Sequence, residues 1–274
     1  MTTTASVLTR PRRVSRPATR TFGVPTLASA LAVPVLLRTS SVTLSAAFLT
    51  MVYLHTASAG QLDPVSTTVS DLIFVDGLGW LFGASAVLLV IGSGALTLAL
   101  ARTRLPGGSL ISLILGLWCL GLIVAAVFPT DPIGDSLTLV GEIHRYAGAT
   151  VYVSLPVAGW MIHLRSRTVG SWDPYRGAVL TFTMASAAIG VLFLLSSAPS
   201  LFPGTPLADL FDGQLIHGLV ERALILSLFG LLPVIGVGVR RVAHNRQPSS
   251  APAPMPSRRP VDSRRQGIRH GIPA

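Results

Sequence analysis

Six uninterrupted apolar stretches constrain this chain more than any other feature. They run at about 39–58, 77–101, 109–128, 144–164, 177–198 and 218–239. A bilayer core takes roughly 20 helical residues to cross, which is the length of each stretch. Half of the 274 residues are hydrophobic and 12% are charged, against about 25% charged in an ordinary soluble domain. Mean hydropathy is +0.63. So much apolar surface cannot be hidden in a core of this size. In hydrocarbon the backbone must satisfy its own hydrogen bonds, which leaves helices or closed barrels. The stretches are too long and too uniform for the alternation of barrel strands. The fold class is therefore all-α: a polytopic membrane protein with six transmembrane helices.

Charge sets the orientation. All 21 basic residues are arginine, and the net charge is +10. The region up to Arg38 carries six of them. Arg102 and Arg104 lie between helices two and three, and Arg165, Arg167 and Arg176 between four and five. Eight follow from Arg240 to Arg269. The other three loops hold acids instead: Asp63, Asp71 and Asp76, then Asp131 and Asp135, then Asp209 and Asp212. This alternation obeys the positive-inside rule at every loop. It predicts a multi-pass protein of the plasma membrane with both termini cytoplasmic. Nucleic-acid binding would need the arginines gathered on one folded surface. They are spread as topology signals and lipid contacts, so membrane lipids are expected partners and nucleic acid is not.

Three segments follow from composition. Residues 1–37 combine a basic tail, with Pro11 and Pro17, and a short apolar run, Phe22–Leu37. The order resembles a signal peptide, and Arg12-Arg13 invites a twin-arginine reading. The pair lacks the hydrophobic residues that should follow it, and no small-residue cleavage site precedes Arg38. The run is read as an interfacial segment. The membrane domain is expected at 38–241. Residues 242–274, rich in Pro, Ser and Arg, cannot bury a core and read as a disordered cytoplasmic tail. The single cysteine, Cys119, sits in an apolar run and reads as a small core residue.

The outer loops contain a repeat. Phe128-Pro129-Thr130-Asp131-Pro132-Ile133-Gly134-Asp135 matches Phe202-Pro203-Gly204-Thr205-Pro206-Leu207-Ala208-Asp209, 74 residues on. Each copy then reaches a histidine opening the next helix, His144 or His217. The first hairpin has a weaker echo in Leu62-Asp63-Pro64, with His55 on the helix before it. This predicts parallel helical-hairpin repeats. Turn chemistry alone, prolines stopping helices and aspartates capping turns, could also produce the motif.

Val69-Ser70-Asp71-Leu72 before helix two, Phe128-Pro129-Thr130-Asp131 after helix three, and Gly141 with His144 opening helix four are short motifs. Together with six helices they resemble domain-of-unknown-function family 998 (DUF998), over about residues 40–240. The resemblance implies an integral membrane protein of the bacterial and archaeal kind without an established activity. Residues 1–35 fall outside it.

Polar residues gather at the acid-rich ends of the helices. The candidate cluster is His55, Ser70, Asp71, Asp131, Glu142, His144, His217 and Glu221. Ionisable groups at membrane depth are costly and are functional candidates by default. Asp71 and Asp131 are the expected partners of the histidines. The plainer alternatives are that Arg145 and Arg222 snorkel outward to pair with Glu142 and Glu221, and that each histidine only ties a loop to a helix. Tyr53, Trp80, Trp118 and Trp160 read as packing or interface anchors.

Two functions compete. The first is a non-enzymatic protein that binds lipid or a small molecule, in transport or regulation, with no cofactor. The sequence holds no HExxH, CxxC, Walker loop or GxSxG elbow. The second is an intramembrane zinc-dependent lipid hydrolase with His55, His144 and His217 as metal ligands. It is similar to the alkaline ceramidase and adiponectin-receptor group, but here the late HxxxH becomes His217-x-x-x-Glu221 and a seventh helix is missing.

Overall fold

The computed structural model describes residues 33–103, 105–132, 136–197, 204–211 and 216–245. Six helices long and apolar enough to cross a membrane run through it. They are α1 (Val33–Ala57), α2 (Gly79–Arg102), α3 (Gly108–Val127), α4 (Leu139–Ser166), α5 (Asp173–Ser196) and α6 (His217–Asn245). Short 3-10 turns at Ser70–Phe74 and Gly170–Trp172, and a short helix Pro206–Phe211, lie between them. The protein is an all-α polytopic membrane protein, as its apolar runs require.

Local chemistry ends the helices. Phe128 is extended, at φ −104° and ψ 101°, because the ring of Pro129 crowds a helical residue before it. Thr138 opens α4 from an extended conformation, and its hydroxyl accepts the Gly141 N–H at 3.2 Å. Pro174 stands in the first turn of α5, where its missing N–H has no helical partner to lose. Gly107, at φ +74°, turns the chain between α2 and α3.

α1, α4 and α6 outrun their apolar stretches. α1 begins at Val33, so the expected boundary at 37/38 falls inside it, and residues 33–37 belong to a spanning helix rather than an interfacial segment. Residues 22–32 lie outside the described residues, as does the tail beyond 245. α4 begins at Leu139 rather than 144, and α6 runs to Asn245, past the boundary at 241. Hydropathy marks only the hydrocarbon slab. Backbone hydrogen bonding continues through the polar turns at either interface.

Consecutive helices pack as antiparallel neighbours, and α6 returns against α1. The even-numbered helices line the centre. Between 39 and 50% of the apolar stretch of α2, α4 and α6 is buried, against 17 to 22% for α1, α3 and α5. Leu96, Leu155, Ile162, Leu224, Leu231 and Ile235 make up this centre. Val42, Leu49, Leu113, Val127 and Leu219 point outward and are exposed, which suits lipid and not water. Small residues permit close approach. A Cβ at Gly92 would strike Thr43 and Leu44 of α1, and one at Gly238 would strike Trp172. Hydroxyls bond between helices: Ser85 donates to the Ala47 carbonyl at 3.1 Å, and Ser186 and Ser227 meet at 3.0 Å.

The loop between α1 and α2 builds a second, smaller core. Leu54, Val69, Leu72 and Val75 are buried there against Met51, Phe82 and Ile225. This core caps the bundle at the end where the acids lie.

Candidate functional site

The start of α6 is stitched to the 65–69 loop by three hydrogen bonds. The Leu219 N–H donates to the Val65 carbonyl at 3.0 Å. Arg222 Nη1 donates to the Thr67 carbonyl at 2.6 Å, and also to Gly218 O at 3.0 Å. The Val69 N–H donates to Glu221 Oε2 at 2.6 Å. Gly218 makes this approach possible, since a Cβ there would collide with the Thr67 carbonyl. The other Glu221 oxygen, Oε1, accepts from the Tyr152 hydroxyl of α4. Glu221 is 4% exposed. It joins α4, α6 and the loop at one carboxylate.

Beneath it lies a cavity of about 130 Å³ between α1, α2, α3, α4 and α6. Glu221, Tyr152, His144, Ser70 and Ser85 supply its polar groups. Leu89, Trp118, Leu122 and Phe229 are among its apolar walls. From Glu221 to Phe229 it follows α6 for about 12 Å, at roughly 1.5 Å per residue. A water takes up about 30 Å³ in the liquid, so the space is on the order of four waters.

Three members of the candidate cluster therefore meet: Ser70, His144 and Glu221 line one cavity. The others do not line it. His217 Nδ1 bonds the Ser196 hydroxyl at 2.8 Å, and its ring stacks on Phe193 at 4.5 Å. Phe193 in turn packs edge-on against Tyr152 at 5.3 Å, so His217 supports the site through two aromatic rings. His55 Nδ1 bonds the Met51 carbonyl of its own helix at 2.8 Å. Glu142 sits half-buried in the first turn of α4.

The expected partners differ. Asp71 accepts both the backbone N–H and the hydroxyl of Thr68, each at 2.7 Å. Asp131 accepts from the Thr138 hydroxyl at 2.6 Å and the Thr138 N–H at 2.8 Å. Neither is hydrogen-bonded to a histidine; short polar side chains satisfy the nearest loop donors first. His144 Nδ1 instead bonds the Ala125 and Phe128 carbonyls, at 3.0 and 2.8 Å, and clamps α4 to the end of α3. Arg222 does not fold onto Glu221; the guanidinium turns to the loop and the carboxylate turns inward.

Two acids outside the spanning helices are held below the usual carboxylate range. For Asp131 the Thr138 hydroxyl is the largest cause, followed by the Thr138 N–H. For Asp63 it is the Ser66 hydroxyl, then the Val65 N–H.

The three histidines bond to separate partners: His55 to the Met51 carbonyl, His144 to the Ala125 and Phe128 carbonyls, and His217 to the Ser196 hydroxyl. Among the described residues no three His, Cys, Asp or Glu side chains come together in a way that could hold a metal ion. Of the repeat, residues 133–135, 202–203 and 212–215 lie outside the described residues, and the histidines that close each copy can be compared. His144 reaches back to the end of α3, and His217 to the end of α5.

Tyr152 is the residue that sequence reading missed. A signal was available: a phenol in an apolar helix needs a partner, and Glu221 is the one acid in the last spanning stretch. Ser85 and Gly148, which also line the cavity, carry no comparable sign.

A family model described as a protein of unknown function (DUF998) matches residues 41–240. No curated protein matches the chain, and no solved structure does.

Proposed function

The chain belongs to the DUF998 family, of unknown function, and on that premise we propose that it is a non-enzymatic membrane protein that binds a lipid or small molecule. The observation that carries this reading is the cavity under Glu221. It is mostly apolar, it is lined by residues of five helices, and its few polar groups converge near one end. That is the usual make-up of a small-molecule site. Its position at the acid-rich end corresponds to the external half of the membrane, if the arginine asymmetry sets orientation with both termini cytoplasmic. The plasma membrane is the proposed location, and the exposed apolar faces of the helices are the lipid contact.

The test is extraction. The full chain is purified in mild detergent, and bound small molecules are released and identified by mass spectrometry. The comparison is the Gly148→Leu variant. Gly148 lines the cavity, and a Cβ there would meet nothing within 4 Å, so the backbone has room for a side chain, and leucine takes up cavity volume. A compound present in the native chain and depleted in the variant supports the reading. Identical extracts from the two would overturn it.

A further inference from the structure

Each polar side chain on the cavity wall has already spent its protons. The Tyr152 hydroxyl donates to Glu221. Ser85 donates to the Ala47 carbonyl. Thr68 uses its hydroxyl proton on Asp71, so in its 2.9 Å contact with Ser70 it is the acceptor and Ser70 the donor. His144 Nδ1 faces two carbonyl oxygens, which can only accept, so Nδ1 carries a hydrogen and spends it on them. Glu221 takes one donor on each oxygen and has lone pairs left over. What these groups still offer is acceptor capacity, with a carboxylate among them. The exception is Trp118, whose buried Nε1–H has no partner.

The neighbouring charges do not reverse this sign. Arg222 is turned to the Thr67 and Gly218 carbonyls and does not line the cavity. Asp71, at the loop, adds a further acid, and His217 is engaged by Ser196. A ligand carboxylate or phosphate would meet lone pairs and a buried acid. A protonated amine supplies the missing donors and the missing charge. Tyr152, Phe82, Trp118 and Phe229 add aromatic rings to the wall, and ring faces attract a cation.

We propose that the cavity binds an amphiphilic ammonium, its head on Glu221 and its aliphatic tail running toward Trp118 and Leu122. This rests on the binding reading above and names the ligand class for the same site. A cavity of about 130 Å³, roughly four waters at about 30 Å³ each, suits a chain of a few carbons.

The probes are hexylamine, charged at neutral pH, and the near-isosteres hexanol and hexanoate. Each is titrated calorimetrically into the full chain in detergent, with empty micelles subtracted. The expected result is that hexylamine binds at least about tenfold tighter than hexanol, a difference of about 1.4 kcal/mol, and that hexanoate binds weakest. Glu221→Gln should abolish the preference for the amine while hexanol binding survives, and Gly148→Leu should weaken all three. Equal affinity for amine and alcohol, with both lost in Gly148→Leu, overturns the ammonium assignment and leaves the cavity as a neutral site. An unchanged preference in Glu221→Gln overturns it as well. Absence of binding by every probe, or binding indifferent to Gly148→Leu, overturns both this inference and the binding reading beneath it. Should Glu221→Gln fail to fold, the amine–alcohol comparison in the native chain and in Gly148→Leu decides alone.

Discussion

Tyr152 and Glu221 stand 69 positions apart in the chain and share one hydrogen bond inside the bundle, from the phenol hydroxyl to Oε1. The same carboxylate holds the Val69 N–H through Oε2 at 2.6 Å. One buried acid thus ties a loop and two central helices together. It occupies the wall of the cavity while doing so.

That arrangement predicts a specific coupling. Tyr152→Phe removes one donor and should cost about 1.5–3 kcal/mol, the range for a hydrogen bond to a charged group. Glu221→Leu strands both the Val69 N–H and the Tyr152 hydroxyl and should cost more. The double variant should cost no more than Glu221→Leu alone, because the phenol has already lost its partner. Thermal unfolding of the four proteins in one detergent checks this. Additive losses would contradict the shared bond.

A pair of glycines tests the stitching of the loop. Gly218→Ala pushes a methyl into the Thr67 carbonyl; a backbone oxygen cannot move without its loop. A loss of about 1–3 kcal/mol is expected, together with faster amide exchange at Val69. Gly148→Ala enters open space and gains helix propensity, so it should be neutral or stabilising. Equal behaviour of the two variants in unfolding and exchange measurements would remove the packing argument.

The Asp131 contact with Thr138 predicts a pH effect with a definite sign. The folded pKa lies below the ordinary value of 3.8 because the Thr138 hydroxyl, and then its N–H, favour the carboxylate. The group contributes stability above the unfolded pKa, and this is lost as pH falls through the folded pKa. Stability should therefore be flat near neutrality on this account and decline only below about pH 4. Thr138→Ala should flatten that decline, and should itself cost about 1 kcal/mol through loss of the helix cap. An acid titration of melting temperature for both proteins gives the comparison.

Orientation is open to reporter fusions. Fusions after Arg104, Arg167 and Arg241 should score cytoplasmic, and fusions at Asp63, Asp135 and Asp209 external, by the arginine asymmetry of the loops. A cytoplasmic signal from the Asp63 fusion would invert the placement of the cavity.

Class, helix number and the end of the bundle where polar groups gather were all legible in the chain itself. Each of these depends on local quantities. Twenty apolar residues must span hydrocarbon whatever they touch, and Pro129 stops α3 by crowding its own neighbour. His144 and Glu221 could be named for the same reason, since an ionisable group in an apolar run is conspicuous alone; Ser70 was named from the loop motif beside Asp71. Tertiary structure alone decided what each one touches. Asp71 and Asp131 were the expected partners of the histidines, yet Asp131 found Thr138, and His144 found the carbonyls closing α3. Arg222 was expected on the adjacent Glu221, yet it reached Thr67, 155 positions away. Tyr152 drew no notice until α4 and α6 were placed side by side. A hydrogen-bond partner is chosen by distance in space, to within a few tenths of an ångström. Hydropathy fixes how deep a residue sits along the membrane normal, but the packing of side chains between helices sets which face it turns and what it meets there.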